Sequence, residues 1–313
     1  MEAERTPKTA TPVAASPARG PLGPLARRGR RWPLLYFLPT FILLALVFLY
    51  PIYYAGWISL YATRYFRPLR YVGTANYARV VTDPEIWMSV RNSLVFGVGS
   101  LAGAVPLGLG LALLLHRLGR VKGPLRALVL TPWVMSQAVV GVLWLWILNP
   151  SFGPVARLVE VLGFPKLVLF SDPRLAMPTL IAITVWWSYP LVMILILGAL
   201  QTVPLELYES VVVDGGTRWV GFRHVTFPFI RNTLASTVIM LVLLYFNMVT
   251  LILVTTGGGP IRSTETFSLR IFYDMFARFR LSDAAAEAVL LLVLNLILTA
   301  VFIRIFRRRE ALL

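Results

Sequence analysis

Six stretches of this chain, near 34–60, 92–115, 127–148, 178–202, 232–255 and 284–303, are almost uninterruptedly apolar. Each reaches about 20 residues, the length an α-helix needs to cross the hydrocarbon of a bilayer. Five hold no Asp, Glu, Lys or Arg, and the last holds only Glu287, near its start. An ion at mid-membrane costs about 2.5–3.5 kcal/mol on an insertion scale, so charge-free runs are what lipid selects. Composition agrees: 14% of the residues are charged, against about 25% in soluble domains. The expected fold is an all-α integral membrane protein of six transmembrane helices, forming one integral-membrane domain over 32–306.

Charge sets the orientation. The segments 1–33, 116–126, 203–231 and 304–313 carry 18 Lys and Arg in 83 residues, and the alternate loops 61–91, 149–177 and 256–283 carry 12 in 88. Arg27, Arg28, Arg30, Arg31 and Arg307 to Arg309 flank the first and last spans on one side. Positive residues stay in the cytoplasm, so both termini are expected inside. The net charge of +16, which in a soluble protein would suggest nucleic acid, is read here as this topology signal, with no nucleic-acid partner. Residues 1–31 are rich in Pro, Ala, Thr and Arg and too poor in apolar surface to fold alone, so a disordered basic tail is expected. A cleaved signal peptide is the competing reading; an apolar run of about 25 residues with no small-x-small site after it argues against that. A second basic tail is expected at 307–313.

Several chemistries are excluded. There is no cysteine, so neither disulfides nor Cys-ligated zinc can form. Two histidines, His116 and His224, are too few for a histidine metal cluster. No G-x-x-x-x-G-K-[ST] run exists, and Lys8, Lys122 and Lys166 are the only lysines, so the chain lacks the cradle that holds ATP phosphates. No metal or cofactor is expected in the chain itself.

The segment Pro204–Ile230 is a polar insert between two apolar spans. Pro204 suits a helix start, and Glu206 and Glu209 fall in the first turns, where the helix dipole favours negative charge. Asp214-Gly215-Gly216 reads as a turn, Thr217 as the N-cap of a second short helix, and Pro228 as discouraging its continuation. Trp219, Phe222 and Val225 recur at helical spacing as one apolar stripe. A membrane protein that carries such a knob into water is built to dock something.

The run E-L-Y-E-S-V-V-V-D-G-G, then R-W-V-G-F-R-H-V-T-F-P, resembles the EAA loop of ABC importer permeases. The resemblance places the family's glutamate at Glu209, its aspartate at Asp214, its glycine at Gly215 and its closing proline at Pro228. Ser210 and Val211 stand where the family usually has two alanines, and Gly216 where alanine is common. Other stretches are similar to the same family: Leu49–Tyr61, Tyr71–Trp87, Leu130–Val155 and, most discriminating, LVTTGGGPIRSTETFSLRIFYDMF at Leu253–Phe276. A T-x-G-G-P-x-x-x-T run marks the first of the two permease subunits in carbohydrate-type importers. Gly258, Gly259, Pro260 and Thr264 are therefore expected in a tight turn after span five, although a glycine triplet alone fits a flexible loop. Many relatives carry Phe-Asp about ten residues before this proline; Val249 and Thr250 stand here, which removes a possible intramembrane carboxylate.

The resemblance implies a transport subunit and not an enzyme. Its partners would be a second six-helix permease, two copies of an ATPase subunit carrying ATP and Mg, and an extracytoplasmic solute-binding protein. It would sit in a prokaryotic cytoplasmic membrane and pass a sugar or related polar solute. Glu206, Glu209, Asp214, Gly215, Trp219, Phe222 and Pro228 would meet the ATPase. Tyr245, Asn247 and Thr250 are the candidate path residues, because aromatic faces and amides bind sugars; for single aromatics, interfacial belts or helix packing is the alternative. Asn295 reads as an interhelical hydrogen bond. A secondary carrier is the rival class, though the spans hold no proton-carrying relay of carboxylates.

Overall fold

The computed structural model describes residues 32–117, 122–166 and 168–310. The predicted tail at 1–31 and the last three residues of the predicted tail at 307–313 lie outside them. The chain divides after Tyr53 into two compact units. What is described of the first is helical: α1 (Trp32–Leu44), a π turn over Ala45–Leu49 and the start of α2 (Tyr50–Ile58).

The second unit takes in the rest of α2 and then two short antiparallel strands, β1 (Tyr61–Arg64) and β2 (Arg67–Tyr71), with an irregularity in register between Ala62 and Thr63. This hairpin departs from the all-α expectation. Tyr61 and Tyr71 are paired across it with their rings edge-on, and such aromatic pairs stabilise even a two-stranded sheet. Then come α3 (Ala75–Thr82), α4 (Pro84–Arg117), α5 (Lys122–Val134), α6 (Gln137–Ile147), α7 (Pro154–Val161) and α8 (Ala176–Leu200). After these lie α9 (Leu205–Val213), α10 (Arg218–Gly221), a π turn over Phe222–Thr226, α11 (Phe227–Phe246), α12 (Thr250–Thr255), α13 (Phe267–Phe276) and α14 (Leu281–Glu310).

Among the described residues, five helices are long and apolar enough to cross a membrane: Tyr36–Ile58, Pro84–Arg117, Ala176–Leu200, Arg218–Phe246 and Leu281–Arg304. A bent pair, Arg126–Val134 and Gln137–Ile147, makes up to six if counted as one span. The predicted span 127–148 is thus not a straight rod; its halves meet at 101°. Ser136 caps the second half by accepting a hydrogen bond from the Val139 N–H, and the Trp187 indole donates to the Met135 carbonyl at 3.0 Å. Non-helical backbone at membrane depth is tolerated where protein groups satisfy it in this way.

The core centres on α8, which packs along α4 and is flanked by α5 and α11. Leu180, Ile183, Val192, Met193 and Ile196 of α8 are buried against Phe96, Val140, Leu241 and Leu251. Close approach is possible because α4 is glycine-rich at this seam. A Cβ at Gly108 would lie 2.5 Å from the Val192 Cβ and 2.7 Å from the Tyr189 carbonyl. Small residues at such contacts let membrane helices meet over long, tight interfaces. Buried hydroxyls in the spans, among them Thr184, Ser93 and Thr255, bond the carbonyl four residues back, which removes the penalty of an orphan polar group.

Candidate functional site

The predicted docking hairpin forms largely as its residues dictate. Pro204 precedes α9 in extended backbone, and Glu206 lies in the first turn. The helix ends in a Schellman arrangement: the Gly216 N–H reaches the Val211 carbonyl at 2.8 Å and the Gly215 N–H the Val212 carbonyl at 3.0 Å. Gly215 takes φ +73°, the left-handed conformation that this cap requires. A Cβ at Gly216 would meet the Val211 side chain at 2.7 Å. Two of the three departures from the family pattern in this loop, bulk at 211 and none at 216, therefore face each other. Thr217 caps the next helix, its hydroxyl accepting from the Val220 N–H at 3.4 Å.

Two expectations need correction here. Pro228 does not end the second helix, which continues from Arg218 to Phe246. Proline has no N–H for the carbonyl four residues back, and the wider π turn at Phe222–Thr226 immediately before it loosens the helical ladder there. The stripe of Trp219, Phe222 and Val225 is not one exposed face either. Trp219 is 67% exposed and stacks on a half-buried Phe222, whereas Val225 is buried. The apolar surface is completed instead by Leu205, Val212 and Val213, all exposed. Glu206, Glu209, Asp214 and Pro228 are exposed as well. Behind the hairpin lies a cavity of about 670 Å³, lined by the end of α4 at His116 and Arg117 and by Tyr208, Trp219 and Phe222. The Tyr208 hydroxyl is 3.0 Å from that of Thr226, pinning α9 to the π turn.

The turn after α12 is tightly bonded. Gly257 and Gly258 have positive φ, and the Gly259-Pro260 peptide is cis. Thr264, with no solvent exposure, bonds through its hydroxyl to the Gly259 carbonyl and the Thr256 hydroxyl, both at 2.7 Å. Its own N–H reaches the Gly258 carbonyl at 3.1 Å.

The three path candidates separate. Tyr245 is 1% exposed, with its hydroxyl 2.6 Å from that of Ser188 and its ring edge-on to Phe96. Asn247 and Thr250 are exposed, at the break between α11 and α12 that interrupts the predicted span 232–255. The Asn295 amide donates to the Asn247 side-chain oxygen at 3.4 Å, joining α14 to the end of α11.

One cluster was not visible to sequence reasoning. Arg270 on α13 is 2% exposed and lies 2.8 Å from Asp83, 3.3 Å from Glu85, 3.4 Å from Glu287 and 3.5 Å from Asp274. Arg262 is clamped on Glu265 and also pairs with Glu85; the hydrogen bonds it donates to the Glu265 carboxylate raise its guanidinium pKa further still. A cavity of about 470 Å³ opens beside these groups. The sole signal was Glu287, the one acid inside an apolar run. Pro84 and Arg117, the ends of α4, are roughly 50 Å apart at 1.5 Å per residue. The ion cluster and the polar hairpin therefore occupy opposite ends of the bundle.

The described helical unit thus carries a polar hairpin at one end and an ion-paired turn at the other. The family model for binding-protein-dependent transport system inner membrane components matches residues 104–311, and the chain belongs to that family. Among similar proteins, the trehalose/maltose transport permease of Thermococcus litoralis is 30% identical over 88% of this chain and 94% of its own. The sulfoquinovosyl glycerol transport permease of Agrobacterium fabrum is 29% identical over 87% and 89%. A bacterial alginate ABC transporter, solved in complex with a periplasmic protein holding an alginate pentasaccharide, superposes with a TM-score of 0.77 at 22% identity, covering 91% of this chain and 97% of the other. This chain is a permease subunit of an ABC importer.

Proposed function

We propose that this subunit lines half of the path for a sugar or related polar solute, by alternating access driven by separate ATPase subunits. The observation that carries the reading is the exposed hairpin at 204–230, capped at both helices and standing on a continuous helix that enters the membrane. In this reading the bent pair counts as one of six spans, both termini are cytoplasmic, and the protein is multi-pass in a prokaryotic cytoplasmic membrane. Glu206, Glu209, Asp214, Gly215, Trp219, Phe222 and Pro228 form the coupling surface for one ATPase of a pair, which holds the ATP and Mg. A second six-helix permease completes the path, and an extracytoplasmic binding protein delivers the solute. The names of relatives acting on trehalose, maltose and sulfoquinovosyl glycerol support a carbohydrate-type solute.

Rigid helices transmit force well. Closure of the ATPase pair would draw the two hairpins together, and the unbroken Arg218–Phe246 helix would carry that motion into the bundle. Asn247 and Thr250, at the end of this helix, are the proposed solute contacts; Tyr245 holds the break in shape from behind. The test is to co-express the chain with its genomic neighbours and purify it through a tag. A second permease and an ATPase should co-purify, with hydrolysis stimulated by the solute-loaded binding protein. Solute movement by the chain alone, without ATP, would make it a secondary carrier and sink the proposal.

A further inference from the structure

We infer that the cavity behind the polar hairpin seats the headgroup phosphate of an anionic phospholipid. The inference rests on the proposed orientation, which puts this end of the bundle at the cytoplasmic leaflet. Three pieces of chain wall the cavity of about 670 Å³: the end of α4, the end of α8 and the hairpin itself. Leu113 and Leu200 are wall residues from α4 and α8. They fall at the very ends of the apolar runs 92–115 and 178–202. The cavity therefore begins where these helices leave the hydrocarbon, at the depth of lipid headgroups.

Charge is segregated between the two sides of the hairpin. Its acids, Glu206, Glu209 and Asp214, are exposed, and none of them lines the cavity. His116, Arg117 and Arg218 do line it, so the charged lining is basic alone. Arg117 and Arg218 are exposed and make no ion pair among the described residues. Guanidinium groups without a carboxylate are suited to phosphate, because each presents paired N–H donors to its oxygens. An acidic side and a basic side fit different occupants. The first belongs to the proposed ATPase contact, and the second takes an anion.

The apolar part of the lining separates a lipid from a free anion. Leu113, Leu200 and Val211 share the space with the cations, and they offer the first acyl methylenes a surface away from water. A hydrated anion gains nothing from such a wall. Basic pockets between helices on the cytoplasmic side hold anionic headgroups in this way. Arg117 ends α4 and Arg218 opens α10. One bound phosphate thus ties the hairpin to a span, and membrane charge sets how firmly the hairpin is seated.

The test is native mass spectrometry of the delipidated complex, purified with its ATPase and titrated with phosphatidylglycerol, phosphatidylcholine or inorganic phosphate. The wild type should prefer phosphatidylglycerol to phosphatidylcholine about tenfold or more, a comparison that needs no variant. The double variant Arg117→Gln, Arg218→Gln should lose that preference. The double variant to Lys should fall between the two, since it keeps the charge and loses the forked geometry. Equal affinity of the wild type for both lipids overturns the inference, as does an unchanged preference in the Gln variant. Displacement of phosphatidylglycerol by an equal concentration of inorganic phosphate would mean a free-anion site and overturns it too. So does lipid held by the chain alone but lost once the ATPase joins, because the ATPase then covers the cavity. Failure of the functional reading looks different: the tagged chain purifies without an ATPase, and the same titration on the chain alone keeps the same expected outcomes.

Discussion

Thr264 and Arg270 sit close together in sequence and carry different kinds of stabilisation. Replacing Thr264 by Val removes a buried hydroxyl that serves two half-buried partners. The loss should be about 1–3 kcal/mol, since a buried polar group left unsatisfied bears its full desolvation penalty. Ser at this position should keep most of the stability. Thermal unfolding of the purified protein in detergent would show the order wild type, Ser, Val. Arg270 is a heavier case. Changing it to Met leaves Asp83, Asp274 and Glu287 without their shared cation, and breaking a buried pair typically costs about 3–5 kcal/mol. The expected outcome is a sharp drop in monodisperse protein by size exclusion, partly restored in a second variant that also neutralises Glu287. Thr264 was legible because it completes a run with Gly258 and Pro260. Arg270 was not, because Asp274 is its only neighbour at helical spacing, while Asp83, Glu85 and Glu287 come from other stretches of chain.

At the scale of elements, the polar hairpin was nearly complete in the sequence. Pro204, the glycine pair and Thr217 are short-range signals, and each occupies the turn or cap its chemistry suggests. Gly215 offers a clean test because nothing lies within 4 Å of a Cβ there, leaving only the positive φ to resist substitution. Asn tolerates that conformation, so Gly215→Asn should keep ATP hydrolysis coupled to transport. Gly215→Val should uncouple them, the left-handed backbone costing roughly 1–2 kcal/mol. Equal coupling in both variants, measured as solute moved per ATP, would count against the hairpin as the coupling element. The bent span shows the converse. Within 127–148, Pro132 is accommodated inside α5 and Ser136 caps the second half, and neither fixes a 101° bend. The break persists because Trp187, 52 residues away in sequence, satisfies the Met135 carbonyl. Trp187→Phe should therefore destabilise by about 1–3 kcal/mol, and tryptophan fluorescence during denaturant unfolding would register the earlier transition.

Over the whole molecule, burial decides which apolar residues hold the fold and which await a partner. Trp219 and Val225 belong to the same apolar recurrence but lie about 120° apart around a helix of 3.6 residues per turn, and only Trp219 is exposed. Trp219→Ala should weaken co-purification of the ATPase while leaving detergent stability within about 0.5 kcal/mol, as surface changes usually do. Val225→Ala should do the reverse, lowering stability with docking largely kept. A result in which both act alike would show that the stripe works as one face after all. The approximate places of the apolar helices and the caps and turn of the polar hairpin followed from hydrophobicity, caps and turn residues, which act over a few neighbours along the chain. Which residues lie behind the hairpin, where a span breaks, and which acids gather round one arginine depended on helix packing, because those contacts join residues that sequence leaves tens to hundreds of positions apart.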